Sequence, residues 1–164
     1  MDISSVPGDL VTGHRARVRP EWIDYNGHMN VAYYVLAFDH ATDYFADRLG
    51  LDATYREGSG ASFFVVDMNV TYRQELSVEA PIVFTTQLLD YDRKRIRFFH
   101  AMYHERDGFL AATNEILTVH VDMEARRSAP MPDEVMARLD ALWERHARLD
   151  PPEGAGRTLG IRRR

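Results

Sequence analysis

At 164 residues, with 45% of them hydrophobic and 27% charged, the chain is sized for one globular domain with a real core. A net charge of −5 argues against a general nucleic-acid binder, which needs a basic face for phosphates. The absence of cysteine excludes disulfides, cysteine-ligated zinc and cysteine nucleophiles, and is compatible with a cytoplasmic location.

Residues 1–10, with Pro7, Gly8 and little pattern, read as a flexible lead-in, and Met1-Asp2-Ile3-Ser4-Ser5 lacks the pattern of a signal peptide. No apolar run approaches the roughly 20 residues that span a bilayer, so no membrane partner is expected. Val11 to Arg19 alternates and predicts a short strand, stopped by Pro20. From Asn30 to Leu49, Val31, Tyr34, Val35, Phe38, Ala41, Phe45 and Leu49 recur at helical spacing. Asn30 suits the N-cap of that helix, Gly50 its C′ position and Arg48 its negative end.

After Gly58-Ser59-Gly60 the period changes to two. Phe64, Val66, Met68, Val70 and Tyr72 fall on one side of a long strand, with Phe63, Val65, Asp67, Asn69, Thr71 and Arg73 on the other. Pro81 opens the next strand, Ile82 to Leu89, and Tyr91-Asp92-Arg93-Lys94 is a polar turn. Arg95 to Glu105 follows, with Ile96, Phe98, His100, Met102 and His104 facing one way. Asp107-Gly108 is a hairpin signal leading into Phe109 to Val121. Pro130 and Pro132 punctuate, and Asp133 is the expected cap of a last helix carrying Val135, Met136, Leu139, Leu142 and Trp143. Residues 149–164, ending in Arg162-Arg163-Arg164, read as a flexible basic tail. Runs of strands after a helix predict one α+β domain over 11–148, an antiparallel sheet with the long aromatic helix covering one face.

Several chemistries are excluded. Gly58-Ser59-Gly60-Ala61-Ser62 is not a nucleophile elbow, and there is no phosphate loop or dinucleotide fingerprint. His100 and His104 are four apart, which on a strand is roughly 13 Å, too far for one metal ion. They read as structural or surface residues, and His40 as a packing or hydrogen-bonding one. No metal and no resident cofactor are expected. The stretch that stands apart is Trp22-Ile23-Asp24-Tyr25-Asn26-Gly27-His28-Met29-Asn30, a polar loop entering a helix whose first N–H groups are unpaired. Asp24 follows Trp22 and precedes His28, so burial and an imidazole are both available to tune its protonation. The same residues are compatible with a plain Asx-type turn closed by Gly27.

The Asp-x-x-Gly-His-x-Asn loop opening a long helix, with four strands after it, resembles the hotdog fold of the 4-hydroxybenzoyl-CoA thioesterase-like superfamily, over roughly residues 11–125. The resemblance implies a curved antiparallel sheet wrapped around the helix, and a catalytic carboxylate at the position of Asp24. It also implies a thioester carbonyl polarised by the backbone N–H of Val31, and close backbone approach at Gly27. His28 and Asn30 belong to the Gly-His-x-Asn form of this loop. The run from Asp24 to Asn30 with Tyr33-Tyr34 is further similar to the thioesterases linked to carnitine breakdown, which act on betainyl-CoA. A trimethylammonium acyl group suits an aromatic cage, for which Trp22, Tyr25, Tyr33, Tyr34 and Phe38 are candidates, although Tyr34 and Phe38 also fit the helix's core stripe.

These readings predict an acyl-CoA thioesterase with coenzyme A as part of the substrate rather than a cofactor. A hotdog hydratase or dehydratase with Asp24 and His28 as an acid/base pair is an alternative, as is a non-catalytic acyl-ligand-binding module. The resemblance implies a homodimer or a tetramer of dimers. The basic residues expected at the CoA phosphates are Arg73, Arg93, Lys94 and Arg95, although for the charges near the Tyr91 turn a solvated turn is the more ordinary reading.

Overall fold

The computed structural model of the chain describes residues 3–160. One antiparallel sheet contains β1 (Val11–Arg17), β2 (Ala61–Tyr72), β3 (Pro81–Tyr91), β4 (Arg95–His104) and β5 (Leu110–Asp122), and a two-residue β6 (Arg127–Ser128) pairs with β5. The spatial order is β1-β3-β4-β5-β2, so β1 and β2 are the edges. The sheet curls around α1 (Val31–Leu49), which gives the expected hotdog architecture.

Helix α1 forms where its caps and its stripe coincide. Asn30 is extended, and its side chain accepts the Ala32 N–H at 3.0 Å. Gly50 closes the other end at φ +80°, a left-handed conformation that any other residue except asparagine resists. Tyr34, Phe38, Ala41, Phe45 and Leu49 are buried as the spacing predicts. Burial of each large ring contributes about 1.5–3 kcal/mol. Val31 and Val35 depart from the predicted stripe: Val31 is 58% exposed and Val35 half-buried, because both lie on the helix flank facing β2.

The core has two centres along α1. Phe38, Tyr34, Phe84, Met102 and Ile82 pack near the helix start with Trp22 and Met29. Phe45, Leu49, Phe98, Ile96 and Ile116 pack near its end, covered by Val135, Leu139 and Leu142 of α3 (Asp133–His146). His100 lies fully buried between these centres. The Thr42 hydroxyl donates to Phe38 O at 3.0 Å, so its oxygen accepts His100 Nε2–H, also at 3.0 Å. Nδ1 then accepts the Thr86 hydroxyl at 2.8 Å. Burial, with the nearby His14 adding to it, lowers the His100 pKa to about 3. It is a neutral core residue.

Several expectations are corrected. In β2 the strict alternation breaks, because Val65 pairs with Thr118 and Asp67 with Leu117, leaving Val66 as an extra residue. This bulge shifts the phase, so Val65 and Met68 face the same side. A short helix, α2 (Ala53–Ser59), precedes β2, capped by Asp52 onto the Tyr55 N–H at 2.8 Å; it is too short to show a period. Asp133 is the first residue of α3 rather than its cap, and its carboxylate pairs with Arg93 at 2.9 Å. The segments flanking the domain contact the sheet. Ile3 N–H donates to Gly108 O, and the 150–157 segment bonds Gln87, Glu115 and Asn69.

Candidate active site

The loop before α1 is built from its own sequence. A turn of 3-10 helix at Pro20–Trp22 puts the Trp22 indole into the core, 4% exposed and stacked on Tyr33 at 5.7 Å. Main-chain bonds then close a hairpin-like loop. Asp24 N–H donates to His28 O and Gly27 N–H to Asp24 O, both at 3.0 Å, with Gly27 at φ +80° where a side chain would strain the turn. Met29 N–H donates to Leu76 O at 2.8 Å, which fastens the loop to the 73–80 segment, and Asn30 N–H donates to Trp22 O at 2.9 Å, which closes the loop on itself.

This frame fixes the half-buried Asp24 carboxylate from both sides. Oδ1 accepts the Asn26 N–H at 2.8 Å, and Oδ2 accepts Asn30 Nδ2–H at 3.3 Å. Asn30 therefore has two tasks: one end of its amide caps the helix and the other orients the acid. The Tyr33 N–H is taken by Asn30 O at 3.0 Å. With Ala32 also satisfied, the first-turn donor left without a protein acceptor among the described residues is the Val31 N–H. Beside it, the Val31 carbonyl accepts the Tyr72 hydroxyl of β2 at 3.2 Å. An acid held by two donors, next to an unsatisfied N–H at the positive end of a helix, can activate a water and stabilise a developing oxyanion.

Other predicted residues fall elsewhere. No hydrogen bond or ion pair joins the His28 imidazole to Asp24; its nearest charged partner is Glu75, at 3.9 Å. The aromatic residues do not form a cage: Tyr34 and Phe38 are buried in the core and Trp22 is packed on Tyr33, while Tyr25 is 97% exposed at the loop tip. Arg73 lies at the loop's end of the sheet and pairs with Glu153 at 3.3 Å. Arg93 and Lys94 lie in the β3–β4 turn and Arg95 opens β4, at the opposite end, roughly 30 Å along the strand from Ile82. Within one chain they do not meet Asp24. Asp92 organises that turn by accepting the Lys94 and Arg95 N–H groups, each at 2.8 Å, and the Arg95 guanidinium.

The structure adds residues that local sequence did not single out. A cavity of about 310 Å³ begins at Ala32 and runs between α1 and β2, walled by Val35, Leu36, Val65 and Met68. Asn114 of β5 and Asp39 of α1 also line it. Tyr72, Asn114 and Glu75 are distant in sequence from the loop, so no spacing rule could have joined them to it. Among the described residues there is no group of three or more His, Cys, Asp or Glu side chains placed to hold a metal ion.

Known proteins match this arrangement. Residues 18–139 match the thioesterase-like superfamily. The chain is 41% identical over 152 residues to a betainyl-CoA thioesterase of Pseudomonas aeruginosa, covering 93% of this chain and 96% of that protein. It is 39% identical over 147 residues to an L-carnitine dehydrogenase/betainyl-CoA thioesterase of Rhizobium meliloti, where it spans 90% of itself but 29% of the larger protein. A Staphylococcus aureus protein solved in complex with CoA superimposes with a TM-score of 0.86 at 30% identity, covering 93% of this chain and 96% of that one. The match to most of the domain, with the loop and helix start in place, makes the chain a member of the thioesterase-like superfamily.

Proposed function

We propose that this chain hydrolyses betainyl-CoA to betaine and free CoA. The observation that carries the substrate is the 41% identity across 96% of a betainyl-CoA thioesterase. In this reading the thioester carbonyl oxygen sits at the Val31 N–H. Asp24 either takes a proton from the attacking water or attacks the carbonyl carbon itself. The tetrahedral oxyanion is held by the helix start, and its collapse breaks the C–S bond and releases CoA, which takes up a proton. Water attack yields betaine directly, whereas attack by Asp24 leaves a mixed anhydride that a water then hydrolyses to betaine and the free Asp24 carboxylate. One oxyanion donor is worth about 2.7–4 kcal/mol of barrier. Asn30 is a positioning residue for Asp24 and the helix start.

We infer further that two copies pair through β2. That strand is a long edge exposing Phe64, Val65, Val66, Met68 and Tyr72, whereas the other edge, β1, carries Arg15, Arg17 and an irregular register. The α1/β2 cavity opens at this edge, so a second copy would complete its wall. Two-fold pairing is antiparallel, which would bring the β3–β4 turn of the partner subunit to the same end of the joined sheet as Asp24. In that arrangement the basic turn and Arg73 can both meet CoA phosphates.

The reaction is tested by incubating the protein with betainyl-CoA in H₂¹⁸O and weighing the products. Betaine carrying one ¹⁸O, with free CoA in equal amount, is expected after many turnovers. Under single-turnover conditions, label in Asp24 marks a covalent intermediate. Intact betainyl-CoA at the end would contradict the proposal.

A further inference from the structure

The cavity between α1 and β2 is lined by three polar residues that the hydrolytic step does not use, Asp39, Thr42 and Asn114. Asn114 is fully buried, and neither its Oδ1 nor its Nδ2 has a hydrogen-bond partner. An orphaned buried amide costs stability, so its retention asks for a function. Its polar neighbours offer it nothing. The Thr42 hydroxyl hydrogen is committed to Phe38 O, and His100 has both ring nitrogens occupied by Thr42 and Thr86. Asn114 lines the cavity floor with its amide just beneath the accessible surface, and Asp39 stands exposed on the cavity wall. Among the described residues, no basic side chain lines this space.

We propose that Asp39 and Asn114 determine specificity in this cavity, selecting a compact acyl group that carries a positive charge. This rests on the betainyl-CoA reading above. In a betainyl group a single methylene separates carbonyl from ammonium, so a carbonyl held at Val31 N–H puts the methyl groups into the cavity mouth beside Ala32 and Val35. A trimethylammonium group has no N–H and no lone pair. Its charge is spread over methyl C–H groups, which favour the negative end of a nearby dipole and any nearby negative charge. The Cα of Asp39 lies about 12 Å of axial rise beyond Val31, and its side chain tilts back toward the helix start, so it acts through space rather than by contact. The division of labour follows from solvation. A full charge deep in the floor would be costly to bury, so the floor carries a neutral dipole and the solvated wall carries the carboxylate. An aromatic cage is not needed, and Trp22, Tyr34 and Phe38 are taken up by the core.

The test compares betainyl-CoA with 3,3-dimethylbutyryl-CoA, in which carbon replaces the ammonium nitrogen at nearly the same shape. The readout is the ratio of kcat/KM for the two. Wild type is expected to favour the cation. Asp39→Asn is expected to lower the ratio by about tenfold, the scale of a unit charge several ångströms away in a half-solvated site, and Asp39→Lys to lower it further. Asn114→Leu is expected to lower the ratio while leaving Tm unchanged or higher, because it removes an unpartnered amide. A merely structural asparagine would lower Tm instead, which would overturn its assignment. A ratio that stays constant in the exposed Asp39 variants, with wild type still preferring betainyl-CoA, overturns this inference and leaves the proposed substrate standing. A wild type that does not prefer the cation overturns both.

Discussion

Asp24→Asn removes the charge proposed to do the chemistry while keeping the volume, and the structure says what else it changes. The new side chain can still accept the Asn26 N–H through Oδ1, the 2.8 Å bond of the native loop. Its Nδ2 then replaces the oxygen that accepts from Asn30 Nδ2, so two donors face each other. Asn30 cannot turn its amide over to help, because its Oδ1 holds the Ala32 N–H. Losing that bond costs about 0.5–1.5 kcal/mol, or roughly 1–6 °C in Tm for a chain of this size. Turnover should fall by at least about 100-fold, the lower end of what a general base contributes. Thiol release measured beside a melting curve separates the two effects. A folded Asp24→Asn variant with near-normal kcat would refute the assignment of this loop as the catalytic centre.

Asn30→Ala removes both the helix cap and the orienting donor. It should lower Tm by about 2–4 °C, from roughly 1 kcal/mol of lost capping, and lower kcat by more than that loss explains. Asn30→Asp, which keeps a capping oxygen but sets a second carboxylate beside Asp24, should retain most of the Tm and still lose turnover; equal loss of both would show that Asn30 is only a cap. Stability should fall as pH drops below about 6.5. The unfolded chain then protonates the histidine at position 100, while the folded one keeps it neutral down to about pH 3. The slope from this group is at most about 1.4 kcal/mol per pH unit, and burial of His14 and His146 adds to it with the same sign. Urea titrations at pH 7.5 and 5.0 should show this loss, reduced in His100→Gln; a chain equally stable at pH 5.0 would contradict the neutral assignment. Light scattering at micromolar concentration should give at least a dimer, and Val66→Lys on the exposed edge should shift it to monomer, whereas a monomeric wild type would end the shared-edge proposal.

The parts of the fold that could be read from the sequence were those with local causes. Helix α1 declared itself through Asn30, Gly50 and its aromatic stripe, and the β4–β5 hairpin through Asp107-Gly108. The Asp24 loop was legible for the same reason, since its turn, glycine and cap are consecutive. What stayed hidden depended on contacts between distant residues. The bulge at Val66 is a mismatch of register against Thr118 and Leu117, which no alternation along β2 alone discloses. Tyr72 reaches Val31 only because β2 curls past the helix start. Asp39 on α1 and Asn114 on β5 come together only where the sheet closes a cavity around them, which no local pattern discloses. The aromatic cage suggested by the resemblance to betainyl-CoA thioesterases is not assembled from Trp22, Tyr34 and Phe38, which are occupied in the core.

The measurement that bears most directly on the account is kcat/KM for thiol release across a panel of acyl-CoAs, including betainyl-, acetyl-, 3,3-dimethylbutyryl- and benzoyl-CoA, with purified protein and no added metal. Betainyl-CoA should be the preferred substrate, with kcat/KM of at least about 10⁴ M⁻¹s⁻¹, the lower end of the enzymatic range. No thiol release from any member of the panel, or a clear preference for a neutral acyl group over betainyl, would contradict it.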